Sequence, residues 1–178
     1  MECFSYDPAT GTLKWKNRPL HHFKNKHGMN SFNVRHAGGD AGWRVWRRGG
    51  RPHHIRVELR ICDGSSVSLT AHRIALTIYG SDIGCLDGDH RNGDPFDNRI
   101  SNLRPASKIE SARNRGEFTR NGKSRQLPKG VTKTKYGRFM AKIGPSGVNY
   151  LGTFTTPQEA ASAYAVAAAK MYGEFARI

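Results

Sequence analysis

The sequence predicts an α+β fold: a β-rich N-terminal arm, a central strand–loop–strand–helix segment, and a C-terminal three-stranded antiparallel sheet with one helix. Three observations predict it. Apolar residues alternate in short runs, as in Ile55, Val57, Leu59 and Ile61. Gly, Pro, Asn and Asp punctuate those runs at short intervals. A helical stripe at i, i+4, i+7, i+8, i+11 and i+15 (Ala160, Tyr164, Ala167, Ala168, Met171, Phe175) occurs near the C-terminus.

The first segment, 1–70, reads as irregular β-structure. Tyr6-Asp7-Pro8-Ala9-Thr10-Gly11 is a turn leading into the alternating Leu13 and Trp15, and Ile55–Ile61 and Val67–Leu69 flank the turn Asp63-Gly64 as a hairpin. Between them Gly38–Arg51 is expected to be a basic loop. It interleaves Trp43 and Trp46 with Arg44, Arg47, Arg48 and Arg51, which suits either phosphate contact with stacking or a solvated loop whose tryptophans join the local core.

Thr70–Gly80 is a short helix with Thr70 as N-cap and Ile74, Ala75 and Ile78 on one face. His72 on that helix is expected to be structural, and His21, His22 and His27 to be loop surface without a carboxylate to complete a metal set. Strand, Asn92-Gly93 turn and strand follow, then a helix from Lys108 to about Arg115 behind the capping pair Ser107 and Glu110. Residues 116–127 read as a basic linker. In 128–178, Gly130–Thr132, Arg138–Ile143 and Asn149–Phe154 are strands, and a capping box of Thr156 and Glu159 opens the last helix. Phe139, Ala141 and Ile143 should face that helix, leaving Arg138, Met140 and Lys142 outward, where a cationic sheet can enter a major groove.

Charge narrows the function classes. The 178 residues carry 29 Lys+Arg and 14 Asp+Glu, net +15. Residues 1–70 hold 12 basic and 5 acidic side chains, 71–115 hold 7 and 6, and 116–178 hold 10 and 3. Two cationic flanks around a nearly neutral centre suit a polyanion, and nucleic acid carries the densest fixed negative charge. The sequence has no apolar run of about 18 residues and no basic-then-apolar N-terminus, so a soluble intracellular protein without membrane partner is expected. Cys3, Cys62 and Cys85 are odd in number and far apart, which supports neither a disulfide framework nor a thiolate zinc site.

Asp87-Gly88-Asp89-His90 carries the chemistry. An EF-hand fails, because the twelfth position from Asp87 is Asn98 rather than a bidentate Glu. A polar surface hairpin and a nuclease core remain. Phosphodiester cleavage needs a base for water and a cation for phosphate charge. Histidine, with an unperturbed pKa near ~6.5, can be that base, and Asp89 a cation ligand. Adjacent strand positions point to opposite sides, so one of the pair is expected to face water or substrate.

Asp89-His90-x-Asn92-Gly93-Asp94 with Asp97-Asn98-Arg99-Ile100-x-Asn102-Leu103-Arg104 resembles the HNH homing-type endonucleases of phages and mobile introns, with their ββα-metal site. Ala71-His72-Arg73 and the segment from Tyr6-Asp7-Pro8 through Trp15 match the same group. Gly130-Val131, Leu151-Gly152-Thr153-Phe154 and Glu159-Ala160-Ala161-x-Ala163-Tyr164 make 128–178 similar to the apetala-type (ethylene-response-factor) DNA-binding domain.

The resemblance implies a 71–115 nuclease core in which His90 is general base, Asn102 braces the histidine's loop, and Asp89 ligates one Mg²⁺ or Mn²⁺ ion. The family's second ligand, an Asn nine residues after Asn102, is here Ser111. Either water bridges the weaker hydroxyl, or Asn114 substitutes, or cleavage is impaired. The implied partner is double-stranded DNA, cut to 5′-phosphate and 3′-hydroxyl ends by a monomer in the cytoplasm of a phage-infected host, with no protein partner evident. Arg44, Arg47 and Arg48 in the arm, and Lys133, Lys135, Arg138, Lys142 and Tyr150 in the C-terminal domain, are the DNA-contact candidates. A DNA-binding regulator with an inactive core is the alternative.

Overall fold

A computed structural model describes residues 2–114 and 127–177. The fold is α+β, with helices and small antiparallel sheets of two or three strands. It forms two compact units, Met1–Ser107 and Lys108–Ile178. The boundary expected after residue 70 lies inside the first unit. The expected linker, apart from Leu127, lies outside the described residues.

In the first unit, β1 (Phe4–Asp7) and β2 (Thr12–Trp15) form a hairpin. Phe4 lies opposite Trp15, with ring centroids 4.7 Å apart. Helix α1 (Lys26–His36) was not expected from the sequence. It has no buried residue and no apolar stripe, and it rests on the Asn25 cap, which accepts from Gly28 N, and on Phe32 set edge-on against Trp15 at 5.1 Å.

The expected Gly38–Arg51 loop contains a strand: β3 (Trp43–Arg47) pairs with β4 (Arg51–Arg60), which pairs with β5 (Ser66–Thr70). Helix α2 (Ala71–Ile78) follows β5 without a linker. The boundary fails here because Ala71 and Ile74 share one core with Phe4, Leu13, Trp15 and Val57. Thr70 precedes the helix without a side-chain cap bond, its hydroxyl being 3.1 Å from His72 Nε2. The next residues of α2, Ala75 and Leu76, turn to a second core with Ile83 and Leu103. That core fastens α2 to the hairpin of β6 (Asp87–His90) and β7 (Leu103–Ala106).

In the second unit, α3 (Lys108–Arg113) starts where the capping pair predicted and stops short of residue 115. Lys129 Nζ donates to Arg113 O (2.7 Å), and the Arg113 guanidinium lies 4.8 Å from the Tyr172 ring centre. β8 (Val131–Lys133), β9 (Phe139–Ile143) and β10 (Asn149–Phe154) form a sheet with β9 central. Ala141 packs with Val131 and Ala160, and Ile143 with Tyr164 and Ala168, as the alternation requires. Helix α4 (Pro157–Tyr172) opens with the predicted capping box. The stripe ends early: Met171 is exposed and Phe175 lies in the 3-10 turn Gly173–Phe175, beyond the helix.

Candidate active site

The β6–β7 register sets Asp89 opposite Arg104 and His90 opposite Leu103. The Arg104 guanidinium converges on one carboxylate oxygen of Asp89, Oδ2: Nε donates to it at 2.9 Å, and Nη2 lies 2.8 Å away as an ion-pair contact. This is a buried ion pair, its side chains 5% and 9% exposed. His90 is buried as well, at 8% exposure, so neither side chain of the pair opens to bulk water. The reason is α2, which packs over the hairpin and sets His72 edge-on to His90, ring centroids 5.2 Å apart. Gly88 permits that approach, since a β-carbon there would come within 2.5 Å of the His72 ring.

His90 Nε2 lies 2.9 Å from Asn98 Oδ1. An amide oxygen only accepts, so Nε2 carries the proton and the lone pair of the neutral ring sits on Nδ1. Asn98 is 3% exposed and belongs to the loop between the strands. Asn102 ties that loop together: its Oδ1 accepts from Asn92 N (2.9 Å), its Nδ2 donates to Asp97 O (2.7 Å), and its carbonyl accepts from Arg91 N (2.8 Å). Asp97 in turn receives a two-pronged bond from Arg99, the main cause holding its carboxyl down at about 2. Neither Asn98 nor Arg104 was singled out from the sequence. Arg104 had a readable signal, an opposite charge at the cross-strand position, whereas the reach of Asn98 depends on the folded path of the loop.

Ser111 lies on α3 and Asn114 just beyond it, in the second unit, so each half of the predicted ligand set belongs to a separate unit. The donors are all hard oxygens: a carboxylate, a hydroxyl and an amide. Ser111 Oγ is buried without a hydrogen-bond partner among the described residues, which suits a group that meets a cation or its water, so the donor chemistry fits Mg²⁺ or Mn²⁺.

A different group could have been mistaken for a metal centre. Glu2, His21 and His22 bring their ligand atoms within 4.8 Å of one another, supplying the carboxylate the sequence did not place near the histidines. Both Nε2 atoms lie 3.1 Å from Glu2 Oε2. Arg18 Nε donates to His22 Nδ1 (3.4 Å), so His22 carries its proton on Nε2 and donates it to Glu2. A metal at Nε2 would need that proton on Nδ1, facing a cationic donor. The trio is a hydrogen-bond network.

His72 supplies a pH test. Burial first, then His90, pushes its pKa down to about 4, against the raising effect of Asp87, and its Nδ1 is buried without a partner among the described residues. The unfolded chain therefore takes up a proton that the folded chain refuses. Stability is full above the unfolded value near ~6.5 and falls as pH drops toward 4, by about 3 kcal/mol in total. Urea unfolding at intervals over that window should show the slope, and His72→Phe should flatten it.

Among the DNA-contact candidates, Arg44, Arg47 and Arg48 are exposed on β3 and its turn. The Arg44 guanidinium lies 4.9 Å from the ring centre of Phe96, a residue of the β6–β7 loop, and Trp46 stands edge-on to the same ring at 5.1 Å. Trp43 and Trp46 are about half exposed, so the packed-core alternative for them does not hold. Lys133, Lys135, Arg138 and Tyr150 are exposed on the second unit and Lys142 is half-buried. Arg138 Nη2 donates to Thr153 O (3.3 Å), Tyr150 Oη shares a 2.8 Å bond with Thr153 Oγ1, and Lys135 Nζ lies 4.9 Å from the Tyr136 ring centre. Among the described residues no helix is long and apolar enough to cross a membrane. No family model matches the chain, and no curated protein matches it either.

Proposed function

We propose that the chain is a divalent-metal-dependent endonuclease of the HNH type that binds double-stranded DNA and hydrolyses its phosphodiester bonds. The observation that carries this reading is His90: an imidazole whose proton is held on Nε2 by Asn98, next in sequence to an acid, on a hairpin whose loop Asn102 braces. With Nδ1 basic, His90 takes the proton of the attacking water. Asp89 would hold one Mg²⁺ or Mn²⁺, which would supply charge stabilisation to the phosphate and the departing oxygen; Ser111 and Asn114, the further ligands that the resemblance implies, belong to the other unit. Burial of His90 keeps bulk water from the base, so the reacting water enters with the substrate. Arg44, Arg47 and Arg48, with Lys133, Lys135, Arg138, Lys142 and Tyr150, would grip backbone phosphates, and the cytoplasm of a phage-infected host is where such an enzyme would work.

A second reading, a DNA-binding regulator with an inactive core, is favoured by one observation: Arg104 already neutralises Asp89. Supercoiled plasmid with Mg²⁺ or Mn²⁺ separates the two. The nuclease opens or linearises the circle and chelation stops it; the regulator shifts the plasmid and leaves it closed. In the same titrations duplex affinity should fall on the order of 10³-fold between about 50 and 200 mM salt, as several phosphate contacts require. A flat salt response, or preference for duplex RNA, would count against both.

A further inference from the structure

We propose that Tyr6, in β1 just before the first turn of the chain, is a positioning residue for His90 and acts through Asn98; this rests on the reading of His90 as a base. Asn98 is held at both ends. Its side-chain oxygen accepts from His90 Nε2, and its backbone carbonyl accepts from the Tyr6 hydroxyl at 2.6 Å, across 92 positions of sequence.

The neighbouring backbone is clamped by the same turn. Ile100 N donates to Pro8 O (3.1 Å), and Gly11, at φ +75°, lies so close that a β-carbon would come within 2.5 Å of Asn98 C and Arg99 N. The turn has its own bracing: Gly11 N donates to Asp7 O (2.8 Å), and Ala9 N and Thr10 Oγ1 donate to the Asp7 carboxylate (2.9 and 2.8 Å). The Tyr6 ring packs against the core of Ala75, Leu76, Ile83 and Leu103, so the hydroxyl is aimed from a fixed base. Burial, with Asp7 next, pushes its pKa up to about 12, so it remains a donor throughout the working range.

The consequence is chemical. If Asn98 shifts, the bond that favours the Nε2–H form weakens, and the balance of tautomers moves toward Nδ1–H, the position that must be basic. The first turn of the chain therefore sets the tautomer of a residue near its middle. A merely structural turn would affect folding and leave the tautomer alone.

Long-range ¹H–¹⁵N correlation of the ring of His90 in the full chain reads the tautomer without any need for cleavage. The wild type should be Nε2–H. Tyr6→Phe, which deletes one hydroxyl, should give a mixture with the Nδ1–H form, and in plasmid cleavage should lower kcat about 10-fold with KM unchanged. If Tyr6→Phe does not fold, Asp7→Ala, at an exposed residue that braces the turn without touching Asn98, should shift the tautomer in the same direction. A folded variant with a wild-type His90 tautomer overturns the proposal, whether or not the wild type cleaves. A wild type that cleaves nothing, with a tautomer that still moves in Tyr6→Phe, overturns the nuclease reading and supports this one.

Discussion

Replacing His90 by alanine is expected to lower plasmid cleavage by about 10²- to 10⁴-fold while leaving duplex affinity within about 2-fold, the range general-base removal produces. The split follows from where His90 sits. It is buried and its Nε2 is committed to Asn98, so it has no role in gripping DNA, and phosphate contacts are assigned to exposed cations elsewhere. Rates and binding isotherms measured on the same preparation check it. Equal rates for wild type and His90→Ala would remove the proposed base. Equal loss of binding and rate would mean that the hairpin had collapsed, which circular dichroism would report. Asn98→Asp provides a graded companion, because a carboxylate still accepts from Nε2 and so should retain more cleavage than His90→Ala.

The largest loss of stability is expected at Arg104. Arg104→Met leaves the Asp89 carboxylate buried without its cation, and breaking such a pair costs about 3–5 kcal/mol, a large share of a small domain's total. Removing both charges should cost much less, so Asp89→Leu with Arg104→Met should recover most of the loss. Chemical denaturation of the two single variants and the double variant gives the coupling energy directly. Singles that each cost less than about 1 kcal/mol would show that the pair is solvated. On the nuclease proposal the pair would bear on function too: Arg104 holds the acid and would compete with a cation for its charge. A Mn²⁺ titration of the wild type therefore reports on both roles of Asp89.

Some of this site was readable in the sequence and some was not. Asp89-His90 on a strand, the loop after it, the return strand and a helix from Lys108 were all legible from turn residues and a capping pair. Asn98 was not, because a side chain eight positions from His90 meets it only if the loop doubles back. Helix α1 was hidden for a different reason: its residues include Gly28, Asn30, Ser31 and Asn33, which carry neither helix propensity nor a stripe, and only the Asn25 cap signals it. The Arg-rich stretch 43–47 was misread as loop because strong charge masks the period of a strand whose faces both stay largely exposed.

The sequence by itself determined the α+β class, the hairpin that carries Asp89 and His90, and the three-strand-plus-helix C-terminal unit. Each follows from local rules, periodicity, turn chemistry and capping, that act over a few residues. Only the tertiary structure decided that Asp89 is paired with Arg104, that His90 is turned by Asn98, that Tyr6 reaches Asn98, and that Glu2 joins His21 and His22. Those contacts depend on how burial brings distant segments together, and a hydrogen bond spanning 92 positions leaves no periodic trace in the chain.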